Sequence, residues 1–193
     1  MNVALRRPWT LDRFLAWEER QALRYEFDGV GPVAMAGGTE AHAEIQRNVL
    51  IAVGTRLNRP PCRIVGSDLK IVAAGRVRYP DAMILCSPRA VGRISAIDPI
   101  IVFEILSAGT AQVDMIDKNA EYRGIPSIKR YVILGQVEAA AIVFSRKGED
   151  WVSEIVAGDD AILRLPEVDI ELPLAELYRD IACPAETDAP DAA

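Results

Sequence analysis

Glu104 interrupts an otherwise apolar run, Ile100 to Leu106, within the segment PIIVFEIL at residues 99–106. Alternation along a strand puts Ile100, Val102, Glu104 and Leu106 on one face and Ile101, Phe103 and Ile105 on the other. Neither face offers a carboxylate a wet position. Burying it is costly unless it meets a cation, a metal or several hydrogen-bond donors. Its place near the C-terminal end of the strand puts it at the sheet margin, where sites in α/β folds open. Asp81 follows Pro80 and precedes Ala82-Met83-Ile84-Leu85, at the edge of another strand, since proline cannot join a central ladder. On a neighbouring strand, Asp81 and Glu104 would supply two oxygens to position one Mg2+. Lys118, on the helix expected after the Glu104 strand, is the third member. Each has a plainer reading: Glu104 in a structural ion pair with an arginine, Asp81 as a turn-former, Lys118 in a surface ion pair.

The rest of the chain narrows the chemistry. His42 is the one histidine, and Cys62, Cys86 and Cys183 are odd in number and widely spaced. They form no disulfide framework and no Cys-x-x-Cys knuckle, and read as reduced thiols. A histidine- or cysteine-rich metal site within one chain is excluded. Any metal must be held mainly by oxygen, which points to Mg2+, with Mn2+ as a substitute.

The net charge of −6 is unevenly spread. Residues 171–193 carry six acids against Arg179, so the remainder is close to neutral. The window 47–130 holds 13 lysines and arginines against 7 acids, a net of +6. Local positive charge, not a basic whole protein, is what a polyanion needs. Arginines that merely solvate helix and strand faces would give the same excess.

These residues need elements to position them. Thr10 can cap a helix over 11–23, and Tyr25–Phe27 with Val33–Met35 reads as a hairpin around Asp28-Gly29. Thr39 caps a stronger helix over 40–58, with Ala41, Ile45, Val49, Ala52, Val53 and Leu57 on its apolar stripe. Short strands follow at 63–65, 69–73 and 81–86, then a loop at 87–98 and the strand at 99–106. A helix from Thr110 to about Arg123, a strand at 130–134 and a hairpin at 139–146 and 151–156 complete the reading. That order argues for an α/β protein, a mixed β-sheet flanked by helices. The glycines of GVGPVAMAGG read as turn glycines, because the dinucleotide pattern fails at Ala34 and no Gly-Lys-Ser/Thr follows.

In this arrangement the chain resembles the large bacterial family of restriction-endonuclease-like proteins, expanded in cyanobacteria, within the PD-(D/E)XK nuclease superfamily. The likeness runs from about Thr10 to Tyr178. It includes LRYEFDG, GGTEAHAEIQRNVL, GSDLKIV, RYPDAMIL, IVFEILSAGTAQVDMIDKNAEYRGIPSIKRYVIL and LPEVDIELPLAELY. The resemblance implies a restriction-endonuclease-like fold, with Asp81 and Glu104 as metal ligands and the Ile105 carbonyl beside them. Many superfamily nucleases carry lysine two residues after the glutamate, where this chain has Leu106. The family lysine on the next helix matches Lys118. The family histidine matches His42 and the early-strand aspartate matches Asp68, while Glu26 and Tyr122 enter as supporting residues. Ser107-Ala108-Gly109-Thr110 departs from the usual Ser-Pro-Ser-Thr.

The implied function is Mg2+-dependent endonuclease hydrolysis of phosphodiester bonds in nucleic acid, with DNA the expected substrate. The alternative is a catalytically inactive relative that binds nucleic acid or serves a structural role. Residues 1–183 are expected to form a single nuclease-like domain, and 184–193 an acidic, disordered tail. A homodimer would allow two strand cuts. MNVALRRPWTLDRF lacks the apolar core of a secretion signal, and no apolar run approaches the roughly 20 residues of a membrane span, so a cytoplasmic protein with no membrane partner is expected.

Overall fold

Thr10 caps the first helix, α1 (Leu11–Glu18), by accepting from the Arg13 amide at 3.2 Å. The helix stops short of the expected residue 23. The Arg20 and Gln21 amides bond back three residues, to Trp17 and Glu18, and this tighter pattern ends the α-helix. The computed structural model describes residues 8–35, 37–106, 113–158 and 160–181. The expected tail at 184–193, Cys183, the loop at 107–110 and the Thr110 cap lie outside the described residues.

The hairpin of β1 (Tyr25–Phe27) and β2 (Pro32–Ala34) is closed by Asp28, whose carboxylate accepts from the Val30 and Gly31 amides. Gly29 there has φ +91°, a conformation glycine adopts freely. Thr39 caps α2 (Glu40–Arg56) by accepting from the His42 amide at 3.1 Å. The buried stripe of α2 contains Ile45, Val49, Ala52 and Val53, as the period requires, and also Asn48.

Strands β3 (Arg63–Gly66), β4 (Ile71–Ala73), β5 (Arg76–Arg78), β6 (Ala82–Leu85) and β7 (Pro99–Ile105) follow. A π-helical turn, Val113–Lys118, leads into α3 (Asn119–Arg123) and β8 (Arg130–Leu134). The hairpin of β9 (Ala140–Lys147) and β10 (Asp150–Ala157) turns at Gly148, and β11 (Ile162–Leu165), β12 (Ile170–Pro173) and α4 (Leu174–Leu177) follow. Strand β5 is absent from the sequence reading. It has one apolar residue, Val77, and depends on partners for its formation: Val77 pairs with Phe27 of β1 and with Val72 of β4.

The main sheet has the order β10-β9-β8-β7-β6-β3, with β7 and β8 parallel and the other pairs antiparallel. A second sheet has the order β2-β1-β5-β4, and β11 pairs with β12. Ala82, Ile84, Ile101, Phe103 and Val132 on one face of the main sheet pack with α2, β11, β12 and α4. Met83, Val102, Tyr131 and Ile133 on the other pack with Tyr122 of α3 and with Ile128. This mixed sheet flanked by helices is the expected fold.

One reading is corrected. Cys62 and Cys86 form a disulfide. They directly flank the antiparallel pair of β3 and β6, in which Arg63 lies opposite Leu85, and their Cα atoms are 3.8 Å apart. Spacing of 24 residues in sequence conceals this adjacency, which strand pairing creates.

Candidate active site

Antiparallel register between β6 and β7 sets Ala82 opposite Phe103. Asp81, one residue before β6, therefore lies beside Glu104 at the end of β7. Two adjacent strands bring both carboxylates to one sheet end. The Ile105 amide donates to Asp81 Oδ2 at 2.7 Å, tying Asp81 to the Glu104 strand. His42 Nε2, from the first turn of α2, lies 3.2 Å from the same oxygen. Gln46, one turn later, donates to the Asp81 carbonyl at 2.8 Å. Among the described residues, the Asp81 side-chain contacts fall on Oδ2 and leave Oδ1 without a donor.

Glu104 is only 3% exposed. Its Oε1 accepts from Lys118 Nζ at 3.0 Å and from the Tyr122 hydroxyl at 2.8 Å. Lys118 closes the π-helical turn and Tyr122 lies on α3, four residues on. Two donors on a buried carboxylate offset its lost hydration. Burial, followed by the negative charge of Glu104, raises the Tyr122 hydroxyl well above its ordinary pKa. Tyr122 therefore acts as a hydrogen-bond donor and not as a base at working pH.

Lys118 has a second acid near it. Glu26 Oε1 of β1 lies 3.8 Å from Nζ and also accepts from the Tyr79 amide at 3.0 Å. Its Oε2 accepts from Arg78 Nη1 at 3.0 Å. Arg78 in turn grips Glu121 of α3 with two donors at 2.7 and 2.8 Å. Burial opposes the Arg78 charge, but the Glu121 hydrogen bond and the two nearby acids outweigh it and raise its pKa. Burial likewise pushes Glu121 up, while Arg78 and then Arg76 overcome this and hold its carboxyl below the ordinary value.

The Uma2 family, described as "Putative restriction endonuclease", matches residues 11–175. The chain belongs to this family. Two uncharacterized Synechocystis proteins are similar to it. The protein slr1290 is 27% identical over 175 residues, covering 89% of this chain and 92% of the relative. The protein sll1609 is 23% identical over 167 residues, covering 83% and 94%. The fold is similar to a crystal structure of a "putative nuclease belonging to DUF820" from Anabaena variabilis. That match has a TM-score of 0.69 at 18% identity, over 89% of this chain and 98% of the other. Membership in Uma2 agrees with the restriction-endonuclease-like fold expected from the sequence.

Within this Uma2 chain, Asp81, Glu104, Lys118, His42, Tyr122 and Glu26 converge at one sheet end. Asp68 does not join them. Its side chain is 86% exposed on the turn after β3 and pairs with Arg24. Sequence reasoning missed Gln46, Arg78 and Glu121. Arg78 lies three residues before Asp81, but nothing in the sequence marked Arg76–Arg78 as a strand or joined it to an acid 43 positions away. Glu18 was also missed. This buried acid at the end of α1 pairs with Lys70 and accepts from the Tyr79 hydroxyl, anchoring the segment that enters Asp81.

Among the described residues, no group of three or more His, Cys, Asp or Glu is disposed to hold a metal ion. Of the groups at this sheet end, the paired strands supply the carboxylates of Asp81 and Glu104, and Mg2+ commonly takes one or two carboxylates, filling its octahedron with water and phosphate. In kind, the residues present fit that ion. No described helix is long and apolar enough to cross a membrane.

Proposed function

We propose that this protein is a Mg2+-dependent endonuclease acting on DNA, with Asp81 and Glu104 as the residues that would hold the ion. The observation that carries this reading is the convergence of Asp81, Glu104 and Lys118 at the end of two paired central strands. When bound, the ion would neutralise phosphate charge and acidify water, and Mn2+ could substitute. Asp81 is oriented for its part by the Ile105 amide and His42. Lys118 supplies a fixed positive charge beside the reacting phosphate, with Glu26 and Tyr122 limiting its movement and that of Glu104. We read residues 1–183 as one nuclease-like domain, a reading supported by the match over 11–175.

A second reading is an inactive relative that binds nucleic acid or serves a structural role. It is favoured by Glu104, whose Oε1 is already engaged by Lys118 and Tyr122 in a 3% exposed position. Glu104→Gln separates the two. In the nuclease reading, cleavage of labelled DNA with Mg2+ falls by at least about 100-fold, and calorimetric Mg2+ binding is lost. In the inactive reading, wild type neither binds the ion nor cuts, and the variant loses only stability. Because Lys118 is 3.0 Å away, the substitution lowers the melt in either case, so metal binding and cleavage decide. Wild-type protein inert towards Mg2+ and Mn2+ and towards plasmid, single-stranded DNA and RNA would overturn the nuclease reading.

A further inference from the structure

The positive excess in 47–130 is largely neutralised by the fold. Arg47 pairs with Glu44, Arg56 with Glu176, and Arg76 and Arg78 both with Glu121. Among the described residues, Arg123, which lies over the Phe144 and Trp151 rings, and Lys129, which donates to the Pro126 carbonyl, form no ion pair with an acid, and neither do Arg63, Arg89 and Arg93. The last three are also close together. Arg63 Nη1 donates to the Ser87 carbonyl at 2.6 Å, and Arg93 Nη1 donates to the next carbonyl, Pro88, at 3.0 Å. The loop that holds them is itself pinned, because the Ser87 hydroxyl donates to the Ile97 carbonyl at 2.9 Å. Burial, and then repulsion from Arg89 and Arg93, lowers the pKa of Arg63. Like charges gathered without an acid create a local field suited to an anion.

We propose that Arg63, Arg89 and Arg93 form a backbone-phosphate site for nucleic acid, remote from the Asp81–Glu104 strand end and occupied by the same polymer. Strand alternation sets Arg63 on the face of Val65, which packs with the cluster on the Glu104 side of the sheet. Asp81 and Ser87 stand at opposite ends of β6, about 20 Å apart at roughly 3.3 Å per residue. Duplex DNA covers that distance in about six steps of 3.4 Å. Guanidinium groups suit the role, since their planar forks bind phosphate oxygens in pairs.

This proposal rests on the nucleic-acid reading above, and the test separates the two. Anisotropy of a labelled DNA duplex is followed in EDTA, from about 50 to 200 mM salt, with the full chain and with Arg63→Gln, Arg89→Gln and Arg93→Gln combined. The combined variant should bind at least tenfold more weakly at the low-salt end. Its dependence of log affinity on log salt should be shallower by up to about 2.7, at about 0.9 per phosphate contact. The loss should be similar across DNA sequences. Replacing all three by lysine should restore most of the salt dependence, which distinguishes lost charge from a disturbed loop. Arg89→Gln alone, at a position with no hydrogen bond among the described residues, should show about a third of the slope change. Equal affinity and slope in wild type and the combined variant would overturn this site alone. Failure of wild type to bind any DNA would overturn both it and the nucleic-acid reading.

Discussion

A carboxylate at 3% exposure has given up nearly all its hydration, so its partners decide what it can do. Glu104 has Lys118 and Tyr122 on a single oxygen, and each donor contributes in a different way. Tyr122→Phe removes a neutral donor and leaves the ammonium. It should cost about 1–3 kcal/mol of stability, read by urea denaturation. Lys118→Met removes a charge. In the nuclease reading it slows cleavage by about 100-fold or more while calorimetric Mg2+ binding persists, because both carboxylates remain. Loss of Mg2+ binding in Lys118→Met would mean that the lysine shapes the metal site and does not serve the reacting phosphate.

The elements around the site are joined by charge as well as by apolar packing. Arg78 of β5 links Glu26 of β1 to Glu121 of α3, so the second sheet is tied to the helix that carries Tyr122. Glu121 is held below its ordinary pKa of 4.5 by Arg78 and Arg76, against the opposing effect of burial. A group lowered on folding contributes its stability above its unfolded pKa and loses it as pH falls through its folded value. The wild type should therefore lose part of its stability below about pH 4.5 through this residue. Glu121→Gln should flatten that part of the acid limb and cost about 1.5–3 kcal/mol at neutral pH. Chemical denaturation at a series of pH values checks both. An unchanged acid limb in the variant would show that Glu121 does not govern it.

At the scale of the molecule, α2 connects the candidate site to the C-terminal elements. His42 in its first turn reaches Asp81, while Asn48, two turns on, donates to the Leu177 and Arg179 carbonyls at 3.2 and 3.0 Å. Asn48→Ala strands both acceptors and should cost about 1–3 kcal/mol, seen as a lower urea midpoint with little change in the slope. The hydrophobic periods alone gave α2, β7, β8 and the β9–β10 hairpin, because each carries enough apolar residues to display its repeat. They also marked Glu104, since a charge in an apolar strand is legible without coordinates. Strand β5 was illegible because one valine between two arginines has no period. Its stability comes from β1 and β4, and from acids distant in sequence. For the same reason the arginine-rich window could be counted but not interpreted: only tertiary pairing decides which charges are neutralised. Local pattern alone carried the mixed α/β class and the central strand with the one carboxylate inside it, Glu104. Only the tertiary structure decided that Cys62 meets Cys86, that Asp68 stands apart, and that Lys118 and Tyr122 share one oxygen of Glu104. Those facts depend on strand register and helix docking, which bring together residues that no local period relates.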